Sequence, residues 1–510
     1  MGRIRAFINC KVYRSFMPVR TAEAFIVSGD RISYVGGAED VLRLAEALGA
    51  EVVDLDGKVV LPGFIDAHAH LDTLALCASA INLSSARSVP EILRALAEEA
   101  HKPGGWLLAY GWDEEGLDDG RPPLRTEVDG AVGGRPAVLM RRCFHMAVLS
   151  TAAIERAGLG EDTPGLDGER GVATGEALRR VREALEETLA LSRESLMRTM
   201  EAVASMGVTT MCVMSCSRRL LRALMAIRET APIRLRIYLR ADGVEEAREA
   251  ARIAREAPRS PYVRVVGVKV VADGSLGART AWLTKPYSDD PGNSGAPSVG
   301  RDELREIVKE AVAAGLQPAV HGIGDRAVDM ILDVYDEAGA VGRPRIEHAS
   351  VVREDQLRRM ARLGVAVCIQ PMFVISDWWV LKRLGRERAS MVYPFKSMLS
   401  AGVAVGIGSD APIEDINPWR HVYAAVTRGR HEGIELYSHT PGEALGVLEA
   451  LHCYTYGSAF VTREEELLGT IDAGKYADFV VVDRDPLGVD SRDLPSIRVV
   501  ATYVGGRRVR

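Results

Sequence analysis

The stretch Glu310-Ala-Val-Ala-Ala-Gly315-Leu316-Gln-Pro-Ala-Val-His321 joins a helical pattern, a glycine and a short apolar strand. A glycine just after a helix adopts the left-handed conformation that ends the helix and turns the chain. The same order returns around Gly207, Gly364 and Gly402, each of which precedes an apolar run. Near-continuous apolar strands that alternate with helices are typical of parallel strands covered by helices. Eight such units close a (β/α)8 barrel, so the sequence predicts an α/β fold of this kind.

Composition excludes several classes of function. The chain has 510 residues, of which 47% are hydrophobic and 26% charged, which suits a large barrel with additional domains. The net charge of −6 gives no general reason to expect nucleic acid or an anionic membrane as a partner. No apolar run reaches the ~18–20 residues of a membrane span, and the N-terminus lacks the apolar core of a signal peptide. Seven scattered cysteines fit a reducing compartment, so we expect a cytoplasmic protein that acts on a small molecule.

Two regions depart from the barrel rhythm. Residues 1–60 carry short alternating stretches and residues 456–510 repeat this character, so both ends are expected to build one small β domain. The barrel is expected to occupy residues 61–455. Within it, about 140 residues separate the first predicted barrel strand from the second, far more than one connection needs. We therefore expect an inserted subdomain at about residues 80–190.

Two histidines at the end of the first predicted barrel strand point to a metal ion. The run Val59-Val-Leu-Pro-Gly-Phe-Ile-Asp66-Ala-His68-Ala-His70 is apolar up to its last residues. Alternate residues of a strand share a face, so the side chains at positions 66, 68 and 70 point the same way. Two imidazoles on one face can bind one metal ion. Taken alone, the pattern fits a pair of surface histidines equally well.

Further candidate ligands end or follow other predicted barrel strands, where the reactive groups of such barrels lie. They are Lys269, His321, His348 and Asp410. A single buried histidine is often only a hydrogen-bonded core residue, and an aspartate after a strand is often a helix N-cap. A lysine between valines is harder to explain, because burying an unpaired ammonium is unfavourable. The joint placement predicts a site for a zinc-like divalent metal at the mouth of the barrel.

In combination, these motifs resemble the amidohydrolase superfamily, and within it the YtcJ-like or amidohydrolase 3 group, over nearly the whole chain. The resemblance rests on residues 62–70, on Val268-Lys269, on the segment Asp273–Thr280, and on five further motifs: His321-Gly-Ile-Gly-Asp325, Ile346-Glu-His-Ala349, Gly408-Ser-Asp-Ala-Pro412, Asn417-Pro-Trp419 and Gly474-Lys-Tyr-Ala-Asp478. It implies a metal-dependent hydrolase with a distorted TIM barrel and a β-sandwich that is split between the two termini.

The resemblance also implies a ligand set for two metal ions of the zinc type. The implied ligands of the first ion are His68, His70 and Asp410. Those of the second ion are His321 and His348. Lys269 would carry a carbamate that bridges both ions. Only a neutral amine attacks carbon dioxide, and burial near cations depresses the pKa of a lysine. A site with one metal ion also occurs in this superfamily and stays an alternative.

The implied activity is hydrolysis of a non-peptide, amide-like C–N bond by a metal-activated hydroxide. Asp410 would carry a proton from the water to the leaving nitrogen. Asp66 would orient a metal ligand without itself binding the metal. Deamination of a cyclic amidine, or opening of a cyclic amide, uses the same metal chemistry and is an alternative. A non-catalytic scaffold is disfavoured, because every metal-ligand position is occupied by a suitable residue.

Three residues are candidates for binding substrate: Arg279, His145 and Trp112. For Arg279 and His145, a surface or structural role explains the sequence equally well. Aromatic stretches at residues 106–112 and 371–379 predict an apolar pocket. Their tryptophans are equally compatible with packing of the insert onto the barrel or with the contact of a homodimer.

Overall fold

In the part of the chain that the structure describes, one of the three sheets of the fold is built of parallel strands alone, as the helix–glycine–strand repeats predict. The computed structural model describes residues 3–102, 104–142, 144–188, 192–258, 260–339 and 342–510. The chain divides into two compact units, one of Met1–His70 with Met200–Arg510 and one of Leu71–Thr199. In the described residues, no helix is long and apolar enough to cross a membrane.

A barrel of parallel strands forms the larger unit together with a small β domain. In the described residues, the barrel sheet has eight strands, each paired in parallel with the next. In chain order they are Phe64–Ala69, Val208–Cys216, Arg234–Arg240, Val263–Val271, Gln317–Gly322, Arg345–His348, Ala366–Ile369 and Ala404–Ile407. Where the eighth strand meets the first, Asp410 N–H donates to the His68 carbonyl (2.7 Å) and His70 N–H donates to the Ala411 carbonyl (2.9 Å). The predicted distorted TIM barrel is therefore confirmed.

The four glycines of the repeat end their helices as predicted. Gly207, Gly315, Gly364 and Gly402 all have a positive φ, between 64° and 92°. Gly364 shows the reason most clearly, because its N–H returns to the carbonyls of the preceding helix while its left-handed φ turns the chain toward the next strand.

Most helices of the larger unit cover the barrel or connect its strands, whereas Ala38–Leu48 packs against the β domain. The helices of this unit are Ala38–Leu48, Arg218–Ala226, Val244–Glu256, Arg301–Ala313, Asp325–Glu337, Glu354–Leu363, Phe373–Ser376, Val380–Leu384, Phe395–Ser400, Pro418–Thr427, Glu435–His439, Val447–His452 and Ser458–Val461. The helix Arg193–Ser205 runs across the boundary between the two units.

Both termini build the β-sandwich domain. Its strands are Ile4–Phe16, Val19–Ala22, Ala24–Ser28, Arg31–Gly36 and Glu51–Pro62, and, from the tail, Phe479–Val482, Val499–Val504 and Arg507–Arg508. The tail joins through antiparallel pairing of Phe479 with Pro62. Phe7, Phe25, Phe479 and Tyr503 fill its core, with the rings of Phe479 and Tyr503 stacked at 4.5 Å. The origin of this domain from both ends of the chain agrees with the sequence pattern.

The smaller unit, Leu71–Thr199, interrupts the barrel sequence after its first strand. The sequence predicts an insertion at about residues 80–190. Its strands are Ile81–Asn82, Leu107–Trp112, Ala137–Arg141, Met146–Leu149, Leu166–Asp167 and Val172–Thr174. Its helices are Leu71–Cys77, Val89–Ala100, Arg125–Val132, Thr151–Arg156 and Gly175–Thr188. Trp112, Leu96 and Leu139 belong to its hydrophobic core.

Candidate metal centre

The end of the first barrel strand places two histidines at the seam of the barrel, where the eighth strand meets the first. His68 lies near the end of Phe64–Ala69, and His70 follows directly. Asp66 is fully buried, and its Oδ1 accepts the backbone N–H of His68 (3.1 Å) and of Ser409 (2.9 Å). Burial raises the pKa of Asp66 to about 6, although these hydrogen bonds oppose the shift. Asp66 therefore acts on His68 through the backbone, by tying the ends of the first and eighth strands together.

Asp410 lies between the two histidines of the first strand. Its Oδ1 is 3.1 Å from His70 Nε2 and 3.3 Å from His68 Nε2. Potential ligand atoms of His68, His348 and Asp410 all lie within 4.8 Å of one another. The ring centroid of His348 lies 5.0 Å from that of His68 and 4.5 Å from that of His321. The structure thus brings together all four predicted histidines and the predicted aspartate.

Hydrogen bonds to the far side of two rings select their tautomers. His68 Nδ1 lies 2.7 Å from Glu347 Oε2, and His348 Nδ1 lies 2.7 Å from Gln370 Oε1. Gln370 Nε2 donates to the Cys368 carbonyl (3.2 Å), which leaves its oxygen for His348. Because both partners are oxygen acceptors, each Nδ1 carries the hydrogen and each Nε2 keeps a lone pair. These lone pairs are what a metal ion requires.

His321 is held by its other nitrogen. Its Nε2 lies 2.9 Å from the Gly274 carbonyl and 3.4 Å from Asp273 Oδ1, so Nε2 carries the hydrogen and Nδ1 keeps the lone pair. Asp273 is itself fully buried and accepts the backbone N–H of Ile323 (3.0 Å) and of Trp282 (2.9 Å). The loop after the fourth strand therefore orients a histidine of the fifth.

Lys269 is buried in the fourth strand beside these groups. It is 3% exposed, and burial lowers the pKa of its ammonium to about 8, although Glu347 and Asp410 oppose the shift. An amine with this pKa is partly neutral near pH 7, which is the form that reacts with carbon dioxide. The imidazoles and the carboxylate beside Lys269 make a donor set that fits zinc-like divalent metals.

Charge states also suit a metal site. Burial lowers the pKa of His68 to about 4 and holds the pKa of His348 well below its ordinary value, so both rings are neutral at pH 7. Burial works against ionisation of Asp410, but the neighbouring histidines hold its pKa far below the usual range. Neutral imidazoles and an ionised carboxylate are the forms in which these side chains coordinate metals.

Two of the candidate ligands have an unusual backbone conformation. His348 has a φ of 73° and Asp410 a φ of 58°, in the left-handed region that residues other than glycine seldom occupy. Such conformations cost on the order of 1–3 kcal/mol each and cluster at functional sites. In the sixth strand, the turn at His348 allows it and its neighbour Glu347 to approach the same ring of His68.

The structure gives partners for two of the three predicted substrate contacts. Arg279 is paired with Asp289 through Nη2 (2.9 Å), and Asp289 also binds Arg383 (2.5 Å). Trp112 is 1% exposed, and its indole N–H donates to the Leu139 carbonyl (3.0 Å) inside the smaller unit. His145 is an exposed residue of the same unit. Their contact with substrate stays a prediction.

Sequence reasoning did not identify the residues that orient the histidines. Glu347 and Asp273 belong to motifs that carry the family resemblance and Gln370 directly follows the seventh strand, and each contacts a ring from a different strand or loop. One sequence feature bears on these residues. Side chains alternate between the two faces of a strand, which places Glu347 and Arg345 on the same face of the sixth strand.

Comparison with known proteins shows the family of the chain. A family model described as "Amidohydrolase family" matches residues 51–510. Two crystal structures of uncharacterized metal-dependent hydrolases are similar: one from Pyrococcus horikoshii OT3 (36% identity, TM-score 0.85, covering 96% of this chain and 99% of that one) and one from Pyrococcus furiosus (37%, 0.80, 95% and 100%). N-substituted formamide deformylase of Arthrobacter pascens is 29% identical over 95% of this chain and 94% of its own length. By its sequence over most of its length, and in agreement with the cluster at its barrel mouth, this chain belongs to the amidohydrolase family.

Proposed function

We propose that the protein hydrolyses a non-peptide, amide-like C–N bond in a small molecule with the help of bound divalent metal. The observation that carries this proposal is the convergence of His68, His348 and Asp410, whose potential ligand atoms lie within 4.8 Å of one another. The family membership supports it, as does the relative whose name describes hydrolysis of N-substituted formamides.

The metals in this proposal are two zinc ions. The proposed ligands of the first are His68, His70 and Asp410, and those of the second are His321 and His348, with Lys269 bridging both as a carbamate. The tautomers support this assignment, because Nε2 of His68 and His348 and Nδ1 of His321 keep their lone pairs. Zinc bound here supplies Lewis acidity, which acidifies a water molecule and polarises a carbonyl oxygen.

Asp410 is the proposed proton carrier. Its carboxylate is ionised and lies at the seam beside His68 and His70, so it can accept a proton from the attacking water. The water oxygen bonds to the carbonyl carbon, the C–N bond breaks, and Asp410 returns the proton to the departing nitrogen. The products are a carboxylic acid and an amine.

The nitrogen substituent of the substrate is proposed to be apolar. The helix Phe373–Ser376 begins just after the seventh strand, and the Phe373 ring centroid lies 6.3 Å from that of His348. Trp378, which follows this helix, is 52% exposed. An aromatic side chain beside a metal ligand suits a substrate that brings an apolar group to the metal.

The test is a metal titration followed by a substrate panel. Protein stripped with chelator and reloaded with zinc is assayed on N-acyl and N-formyl amines, on cyclic amides and on cyclic amidines. Release of an acid and an amine from the open-chain amides, dependent on zinc, is the expected result. Release of ammonia from a cyclic amidine supports the deaminase alternative instead. Failure of the protein to bind zinc overturns the proposal.

A further inference from the structure

A row of polar side chains fills the barrel interior behind His68. The centre of such barrels is usually packed with layers of branched apolar residues. Here the side chains of Glu347, Arg345, Tyr238 and Gln317 follow one another from His68, and each of these four residues is fully buried.

Every neighbouring pair in the row is in contact. His68 Nδ1 donates to Glu347 Oε2 (2.7 Å), and Arg345 Nη2 donates to the same oxygen (2.9 Å), while Arg345 Nε lies 2.9 Å from Oε1. Arg345 Nη1 donates to the Tyr238 hydroxyl (3.0 Å), which donates to Gln317 Oε1 (2.5 Å). The row therefore ends on one side at a candidate metal ligand.

Arg345 holds His68 by two routes. Besides fixing Glu347, its Nη2 donates to the carbonyl of Ala67 (2.8 Å), the residue that precedes His68. The ring orientation of His68 and the backbone that carries it are thus set by one guanidinium. With both carboxylate oxygens facing Arg345, Glu347 has only acceptor character toward His68.

Stability alone does not account for this ion pair. Removing two charges from water costs several kcal/mol per ion, and replacing a buried pair by apolar side chains is often neutral or stabilising. A buried pair that contacts a metal-ligand histidine has a different use, because a fixed tautomer and ring orientation raise metal affinity.

We propose that Glu347, held by Arg345, is a positioning residue that sets the affinity of the metal centre by fixing His68 with Nε2 directed to the metal. This inference rests on the proposed metal-dependent function. Neither residue touches the metal or the substrate in this assignment; both act through His68.

A matched pair of double variants isolates the hydrogen bond. Both R345M/E347Q and R345M/E347L remove the two buried charges, but only the glutamine retains an acceptor for His68 Nδ1. The readouts are zinc affinity, by competition with a chromophoric chelator, and the Tm of the stripped protein. We expect the leucine variant to bind zinc about 10–100-fold more weakly than the glutamine variant, at similar Tm.

A second buried ion pair provides the control. Arg234, at the start of the third strand, binds Asp478 through Nε (2.7 Å) and Nη2 (2.9 Å), away from the carboxyl ends of the strands. R234M/D478L should change the Tm of the stripped protein and leave zinc affinity as in the wild type. Equal zinc affinity of the two Glu347 variants, both folded, overturns the inference.

Two further outcomes keep the inference separate from the proposed function. If the leucine variant does not fold, E347D retains the pair with Arg345 but draws the carboxylate back from His68, and unchanged zinc affinity in that variant overturns the inference. If the wild-type protein itself binds no zinc, the proposed function fails, and the inference fails with it. Zinc binding by the wild type with no difference among the Glu347 variants rejects the inference alone.

Discussion

Asp410 Oδ1 lies 3.1 Å from His70 Nε2, across the seam where the eighth barrel strand meets the first. The backbones of the two segments are joined at the same place, because Asp410 N–H donates to the His68 carbonyl (2.7 Å). Closure of the barrel and assembly of the candidate centre therefore depend on the same few residues. A change that opens the seam would separate the carboxylate from both histidines.

Replacing Asp410 with asparagine tests its role as proton carrier. The amide is nearly the same size, so we expect the Tm of D410N to stay close to that of the wild type. An amide cannot accept and return a proton, so turnover should fall by ~10²–10⁴-fold at full zinc occupancy. The measurement is kcat together with zinc content on the same sample. Near-normal turnover in zinc-replete D410N would reject the role assigned to Asp410.

Stability should fall on acidification, and His421 should contribute to the fall. Burial lowers the pKa of His421 to about 4, below the ordinary value of 6.5. Above pH 6.5 both the folded and the unfolded states hold this ring neutral, whereas between pH 6.5 and 4 only the unfolded state takes up the proton. Protonation of His421 therefore does not affect the free energy of unfolding above pH 6.5. As the pH falls toward 4, it lowers the free energy of unfolding by roughly 3 kcal/mol.

The corresponding measurement is the Tm of stripped protein between pH 7.5 and 4.5. In H421Q the glutamine can still donate to the Asp415 carbonyl, the partner of His421 Nε2 at 2.7 Å, so the variant should fold and show a flatter pH dependence. The exposed His439 supplies the control, since H439Q should retain the wild-type slope. A slope in H421Q as steep as in the wild type would contradict this prediction.

Lys269 is expected to carry carbon dioxide when zinc is bound. Burial lowers its pKa to about 8, which leaves part of the amine neutral near pH 7, and a carbamate removes the repulsion between an ammonium and metal cations. Zinc-loaded protein prepared with ¹³C-bicarbonate should show a carbamate carbon signal that K269Q lacks. K269A should bind less zinc, with partial recovery by short carboxylic acids. A structure of zinc-loaded protein with an unmodified Lys269 would rule out the bridge.

The features that were predictable from the sequence are those that a short stretch of chain determines. Gly315 and Gly364 end helices because their backbone alone permits the left-handed turn, so the barrel rhythm could be identified locally. Lys269 and His321 could be located by the same logic, since each lies in the last residues of an apolar strand, although the structure extends these strands to Val271 and Gly322. These positions did not depend on knowing which strands are neighbours.

The residues that orient the ligands depend on register between strands, and no local pattern reveals register. Gln370 follows the seventh strand and reaches His348 of the sixth, and Glu347 of the sixth strand reaches His68 of the first. The left-handed backbone of His348 is a further example, because strand alternation alone would turn His348 away from the side that Glu347 faces. Trp112 illustrates a different difficulty. The sequence does not distinguish a tryptophan of the core from a tryptophan of a binding site, and Trp112 is hydrogen-bonded inside the core of the smaller unit.

The last prediction concerns the substituent on the substrate nitrogen. With Phe373 6.3 Å from His348, a substrate that carries an aromatic group can bury it beside the metal centre. We expect kcat/KM for N-benzylformamide to exceed that for N-methylformamide by at least ~10-fold, the effect of burying a few carbon atoms. F373A should reduce this preference. F395A provides the control, because Phe395 is buried and packs against Tyr393 (6.0 Å), so its loss should lower Tm and leave the preference intact. Equal kcat/KM for the two formamides in the wild type, or a preference for a charged N-acyl amino acid, would show that the site does not favour an apolar substituent.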